Sequence, residues 1–204
     1  MLDTPILLGF IAASAALIAV PGPNIAVIMA TGAEHGARAA MTVVLATTIA
    51  QVLQIALVVL GLAALLSVWS WAFIALKWIG VAYLVWIGVT TLRKAAAPES
   101  AVRPTHGRLA LRGAMTALAN PKTLAFHAAF LPLFIDQARA AGPQLALLGA
   151  VFIAVALIID SAYALAAGGL RRLTRRGGVR AWMKRVSGSV MLFAAGWLAL
   201  RKTA

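Results

Sequence analysis

The sequence predicts an all-α, polytopic membrane protein: six transmembrane helices in two inverted three-helix repeats, with helices 1 and 4 broken. Three observations carry this reading. Of 204 residues, 63% are hydrophobic and 11% charged, whereas soluble domains average about 45–50% and about 25%. Apolar stretches near the roughly 20 residues that cross a bilayer recur at 5–30, 40–66, 69–92, 112–135, 144–168 and 185–200. Finally, the basic residues gather between alternate stretches, as a fixed membrane orientation requires.

Helix 1 starts the chain. Asp3 comes before any basic residue and the first Arg is Arg38, so the basic start of a removable signal peptide is missing. Its apolar run leads into Pro21-Gly22-Pro23-Asn24, which breaks the helix. Helix 2 carries Thr47, Gln51 and Gln54 at i, i+4 and i+7 on one face. Such a stripe either lines a polar cavity or joins helices by hydrogen bonds, and both readings stand at this point. Trp69, Trp71 and Trp78 near the start of helix 3 read as an interfacial aromatic belt, and Lys77 as a side chain that snorkels to the interface.

The stretch 93–112, with Pro98, Pro104 and Gly107, reads as a surface loop. The chain is then one transmembrane domain over 1–204, with repeat 1 at about 1–94, a cytoplasmic loop at about 95–111 and repeat 2 at about 112–204. Helix 4 is interrupted by Asn120-Pro121-Lys122, and His127 follows Lys122 by five positions. His127 either shuttles protons near neutral pH or is a neutral ring hydrogen-bonded between helices. Helix 5 holds Asp160, the acid set well inside a span. It lies 11 residues before Arg171, roughly 16 Å along a helix. Helix 6 is short.

The net charge of +13 comes from 18 Lys/Arg against five Asp/Glu. Thirteen of the 18 lie in the connections after helices 1, 3 and 5, and only Arg139, Arg201 and Lys202 lie on the other side. This asymmetry places the basic loops in the cytoplasm and both termini outside. It also accounts for the charge without nucleic acid, because the basic residues flank apolar spans and lack interleaved aromatics. The absence of cysteine removes disulfides, thiolate metal sites and thiol redox chemistry.

Two correspondences point to the repeat. Pro23 and Pro121 each break the first helix of a half, at an offset of 98. At an offset of 108, Lys77, Gly80, Leu84, Gly88, Leu92, Arg93 and Lys94 match Arg185, Gly188, Leu192, Gly196, Leu200, Arg201 and Lys202. Three helices are an odd number, so the second half enters the membrane inverted, a construction common among secondary transporters.

In hydrocarbon an unpaired amide or carbonyl costs several kcal/mol, so irregular backbone faces protein or a wet cavity. Pro21 and Pro23 remove two donors, Gly22 allows close approach, and Asn24 offers a side chain to the freed carbonyls. Asn120-Pro121 repeats the device and sets Lys122 beside it. Paired breaks in corresponding helices mark binding sites built from half-helix ends, where a carboxylate is favoured. Asp160 marks an ion or substrate path, as a proton carrier or a partner for an amine. The structural alternative is a static pair with Lys122 or Lys77. No nucleophile–base pair emerges, so an enzyme is not expected.

Over essentially its full length the chain resembles the lysine exporter / homoserine–threonine efflux (LysE/RhtB) family of bacterial amino-acid exporters. The residues that carry the resemblance begin with Pro21-Gly22-Pro23-Asn24, Gly36 with Arg38, and Lys77-x-x-Gly80-x-x-Tyr83-Leu84-x-x-x-Gly88. They continue with Asn120-Pro121-Lys122, Phe130-Leu131-Pro132, Phe134, and Asp160 with Tyr163. The resemblance implies a six-helix fold of the bacterial cytoplasmic (inner) membrane and proton-coupled efflux of amino acids or small derivatives. It makes Pro21, Gly22, Pro23, Asn24, Asn120, Pro121, Lys122 and Asp160 site positions, to which the helix 2 stripe adds Gln51. Asp160 and His127 become the proton-coupling candidates. The chain departs from the family pattern at Ala40, Ala46 and Ala50, where glycines are frequent, at His127, where Phe is usual, and at Leu133, where Gln is common.

The expected mechanism is alternating access. The substrate carboxylate binds at Lys122 and the broken-helix ends, and the amine near Asp160 and polar groups of helices 1 and 2. Protonating Asp160 weakens its hold on the amine and yields antiport. A basic substrate would want a second acid, and only Glu34, at the cytoplasmic mouth, is near. Neutral amino acids such as threonine, homoserine or a branched aliphatic are therefore expected, ahead of lysine or arginine. A divalent heavy-metal exporter has too few ligands in His127 and Asp160, and a non-transporting scaffold leaves the breaks without a role. The expected partners are an amino acid, protons and the lipid bilayer, with no cofactor, metal or nucleic acid; a homodimer is left open.

Overall fold

The computed structural model describes residues 4–59, 78–79, 81–83, 85–86, 88–93, 104–127, 131–136, 138–170 and 177–200. The described residues are helical, with no strand among them. Helix α1 spans Thr4–Ala19, α2 Pro23–His35 and α3 Ala37–Val59. An apolar helix α4 covers Val81–Arg93. Next come α5 (His106–Leu118), α6 (Pro121–Ala125), a 3₁₀ turn Leu131–Phe134, α7 (Ala141–Gly169) and α8 (Gly177–Leu200).

By length and composition, Ala37–Leu57 and Ala141–Gly169 can each cross a membrane, and α1 with α2 forms a third such unit bent by 55°. Half of the third predicted span, with Trp69, Trp71 and Lys77, lies outside the described residues, as do Arg201 and Lys202. Trp78 is exposed.

The helix boundaries follow local chemistry. α1 ends where Pro21 and Pro23 withhold amides, and Pro23 opens α2 at a position where its missing N–H costs nothing. α2 stops at Gly36, whose φ of 92° is open to glycine, and whose N–H closes on Gly32 O at 2.9 Å.

The fourth predicted span is corrected by the structure. Expected as 112–135, it is a composite: α5, α6, then Phe126–His127 in a π-type turn and the 3₁₀ turn. The surface loop expected over 93–112 is helical from His106 onward. Thr105 caps that start by accepting from Arg108 N at 3.4 Å, and Leu109, Gly113, Thr116 and Ala117 form a buried face. Hydropathy missed this turn because Arg108 and Arg112 dilute it. The sixth helix likewise begins at Gly177 rather than 185, since charge lowers hydropathy without ending a helix.

The packing is inverted relative to a soluble protein. On α3, Leu45, Ile49, Val52 and Leu53 are exposed while Thr47, Gln51 and Gln54 are buried. α7 buries a stripe of Leu148, Phe152, Ala156, Asp160 and Ala164 and exposes Leu147, Ile158 and Leu165. An apolar exterior around buried polar groups is the arrangement a bilayer selects.

Three apolar clusters form the core, the smallest of Val81, Ala119, Ala194 and Ala195. One of the larger two joins Ala26–Ile28, Ala40, Val43 and Val44 to Leu109, Ala164 and Met191. The other joins Phe10, Ile18 and Ile55 to Phe126, Leu131, Leu148, Phe152 and Ala156. Both α1/α2 and α7 pass from one cluster to the other, and the polar residues lie at the crossing: the break between Ile18 and Ala26, and Asp160 between Ala156 and Ala164.

Glycines bring the helices into close approach around this layer. A Cβ on Gly32 would sit 2.8 Å from Ala167 Cβ, one on Gly149 would collide with Ile55 Cγ2, and one on Gly88 would sit 3.1 Å from Gly188 O.

Candidate functional site: a polar cavity at two helix breaks

Each break frees carbonyls that can be counted from the proline positions. In a continuous helix Leu17 O would accept from residue 21 and Ala19 O from residue 23, but both of those are proline. The structure fills these vacancies from distant elements. Lys122 Nζ donates to Leu17 O at 2.9 Å and to Val20 O at 2.7 Å. Tyr163 OH donates to Ala19 O at 2.9 Å. The expectation that Asn24 would serve these carbonyls is therefore corrected, since a carbonyl next to an ammonium gains a stronger, charge-assisted bond.

Gly22 has a specific reason to be glycine. A Cβ there would lie 3.2 Å from Lys122 Nζ and 3.3 Å from its Cε, across the path by which the lysine reaches α1.

The second break is built differently. Asn120 caps α6 through its own side chain, Oδ1 accepting from Lys122 N at 3.1 Å. Pro121 withholds the amide that Ala117 O would otherwise receive, and Gln54 Nε2 donates to that oxygen at 3.0 Å and to Leu118 O at 3.5 Å. Thr47 Oγ1 donates to Gly113 O at 3.5 Å. The helix 2 stripe thus divides: Thr47 and Gln54 join α3 to α5, while Gln51 faces a cavity.

That cavity is lined by Leu17, Ile18, Gly22, Asn24, Ile25, Gln51, Asn120, Lys122, Thr123 and Asp160. It is partly open and has a volume of about 10 Å³, room for about one water molecule. Six predicted positions meet there: Gly22, Asn24, Gln51, Asn120, Lys122 and Asp160. Pro21, Pro23 and Pro121 do not line it, and act by shaping the breaks. Sequence reasoning missed Leu17, Ile18, Ile25 and Thr123 as lining residues. It named Tyr163 without a role, although its place three residues after Asp160 puts the two on one side of α7.

Asp160 is buried at 2% exposure and forms no salt bridge among the described residues. The static pair with Lys122 is thus not formed. Both side chains line the cavity instead. Asn24 Oδ1, Gln51 Oε1 and Asn120 Nδ2 are buried without hydrogen-bond partners among the described residues. Two acceptors and a donor therefore stand ready at a cavity that already holds one carboxylate and one ammonium.

His127 lies apart from the cavity. It is buried at 1% exposure, edge-on to Phe152 with ring centroids 4.6 Å apart. Neither ring nitrogen finds the expected interhelical hydrogen bond among the described residues. Glu34 also stays outside the cavity lining, with Oε2 3.9 Å from His35 Nε2. Among the departures from the family pattern, Ala40, Ala46 and Ala50 are buried, and Leu133 is 73% exposed.

A helical membrane protein with unlike charges and unpaired amides facing one cavity between two broken helices is built as a small-solute translocator. Residues 15–202 match the family described as LysE type translocator. This chain belongs to that family. It is 29% identical over 205 residues to an uncharacterized membrane protein of Vibrio cholerae, covering 98% of this chain and all of the relative. It is 35% identical over 147 residues to the homoserine/homoserine lactone efflux protein of Salmonella typhimurium, covering 71% of each chain. Against the leucine efflux protein of an Enterobacter species the identity is 30% over 125 residues, covering 59% of each. No solved structure matches the chain.

Proposed function

We propose that the chain is a secondary active exporter of neutral amino acids, working by proton-coupled alternating access. The observation that carries this reading is the division of the cavity. Lys122 and Asn120 Nδ2 offer donors on the α6 side, while Asp160, Asn24 Oδ1 and Gln51 Oε1 offer acceptors. A zwitterionic α-amino acid has the matching pair, a carboxylate for the first set and an ammonium for the second. The apolar lining from Leu17, Ile18 and Ile25 suits a neutral, short or branched side chain. The names of the homoserine and leucine efflux relatives agree with that class.

The cavity of about 10 Å³ is smaller than any amino acid, so loading requires the surrounding helices to part. In this reading the substrate carboxylate competes with the carbonyls of α1 for Lys122, and the amine competes with a proton for Asp160. The first exchange alters the first break, which links occupancy to helix movement. The protein would span the cytoplasmic membrane of a bacterium six times, as two inverted halves with both termini outside. Protons and the amino acid are its partners.

Release from proteoliposomes loaded with a panel of labelled solutes tests the assignment. Export of threonine, homoserine or leucine is the expected result. Selective export of lysine or arginine, of a divalent metal, or of nothing would overturn it.

A further inference from the structure

Gln54 and Tyr163 occupy matched places. Each stands three residues after a cavity group on its own helix, Gln51 before Gln54 on α3 and Asp160 before Tyr163 on α7. Both pairs are related by one offset of 109. Each outer member then bonds, in a helix far along the chain, the carbonyl four residues before a proline; Ala117 O also accepts from Asn120 N at 3.0 Å. Gln54 holds Ala117 O at the end of α5, and Tyr163 holds Ala19 O at the end of α1. Neither touches the cavity.

We infer that Tyr163 and Gln54 are positioning residues for transport, each tying the cavity group on its own helix to the opposite broken helix. Residues three apart on a helix share a face and move together. A substrate that shifts α7 through Asp160 therefore shifts the bond that fixes the end of α1, and one that shifts α3 through Gln51 shifts the end of α5. Tyr163 and Gln54 carry occupancy to the breaks without contacting the substrate. The role in transport rests on the exporter reading above; the role in holding the breaks does not.

The test uses Tyr163→Phe and Gln54→Met, which keep most of the shape and remove the donor. In proteoliposomes each is expected to lower the maximal rate of neutral amino-acid export at least tenfold while KM stays within threefold. A second readout needs no substrate. The chain has no cysteine, so single reporters Ile18→Cys and Ala119→Cys, both at buried positions, record each break by maleimide labelling. Tyr163→Phe is expected to speed labelling at position 18 at least fivefold and leave 119 unchanged, and Gln54→Met to do the reverse. Labelling that rises at both positions in each variant would mean general loosening and overturn the proposal. So would labelling that rises at neither, an export rate within twofold of the parent, or a raised KM at unchanged maximal rate. A parent that exports no amino acid would defeat the exporter reading, with the labelling pattern still deciding whether the bonds hold the breaks. Should one variant fail to fold, the other carries the test.

Discussion

The two helix breaks solve the same chemical problem with different parts. At the α5/α6 break, Asn120 supplies a cap from within the interruption and is fully buried, and Gln54 covers Ala117 O from the neighbouring α3. At the α1/α2 break, Gly22 has no side chain to cap with, Val20 and Pro21 are exposed, and the freed carbonyls rely on Lys122 and Tyr163. One break is closed largely by itself. The other is held by side chains that also belong to, or adjoin, the cavity. The difference teaches that the first break answers to a ligand most directly, because the Lys122 ammonium that closes it also lines the cavity.

Removing the lysine should break the comparison most severely. Lys122→Met removes the donor to the part-buried Leu17 O, at about 1–3 kcal/mol, and to the exposed Val20 O, and also removes the carboxylate partner. Export should fall at least 100-fold and the melting temperature should drop, as read by vesicle release and thermal denaturation in detergent. Equal stability and near-parent export would show that Lys122 does not secure the first break.

Gly22→Ala is the intermediate case. Its new Cβ would lie 3.2 Å from Lys122 Nζ, so the ammonium must give by a few tenths of an ångström where it bonds the end of α1. Export reduced at least tenfold is expected, with a smaller loss of thermal stability than Lys122→Met. The smallest effect belongs to the self-capped break. Asn120→Ser keeps a side-chain oxygen at the N-cap, where Ser and Asn rank about equally, but removes Nδ2 from the cavity. Stability should stay within about 1 kcal/mol of the parent. KM should rise roughly fivefold, the worth of about one neutral hydrogen bond.

The breaks and the cavity were legible in the sequence to unequal degrees. Prolines announce a break at any depth, and Asp160 in an apolar stretch announces a buried charge, so the principal lining residues were readable. The carbonyl that each proline frees was readable too, by counting four residues back. What takes up those carbonyls was not readable, because it depends on how distant helices pack. Lys122 is 105 residues from Leu17 and Tyr163 is 144 from Ala19. The same limit left the α3 stripe ambiguous until packing separated Gln51 from Thr47 and Gln54. The extent of α5 was missed for a different reason: hydropathy reads polarity, whereas Thr105 and the buried face of α5 set where its helix begins.

The central claim is that the cavity between the breaks moves an amino acid against protons through Asp160. Proteoliposomes holding a labelled neutral amino acid, placed under an imposed pH gradient, address it directly with the parent and Asp160→Asn compared at equal protein content in the bilayer. The account predicts that the gradient accelerates release by the parent and that Asp160→Asn releases no faster than protein-free vesicles. Gradient-driven release by Asp160→Asn at the parent's rate would contradict it.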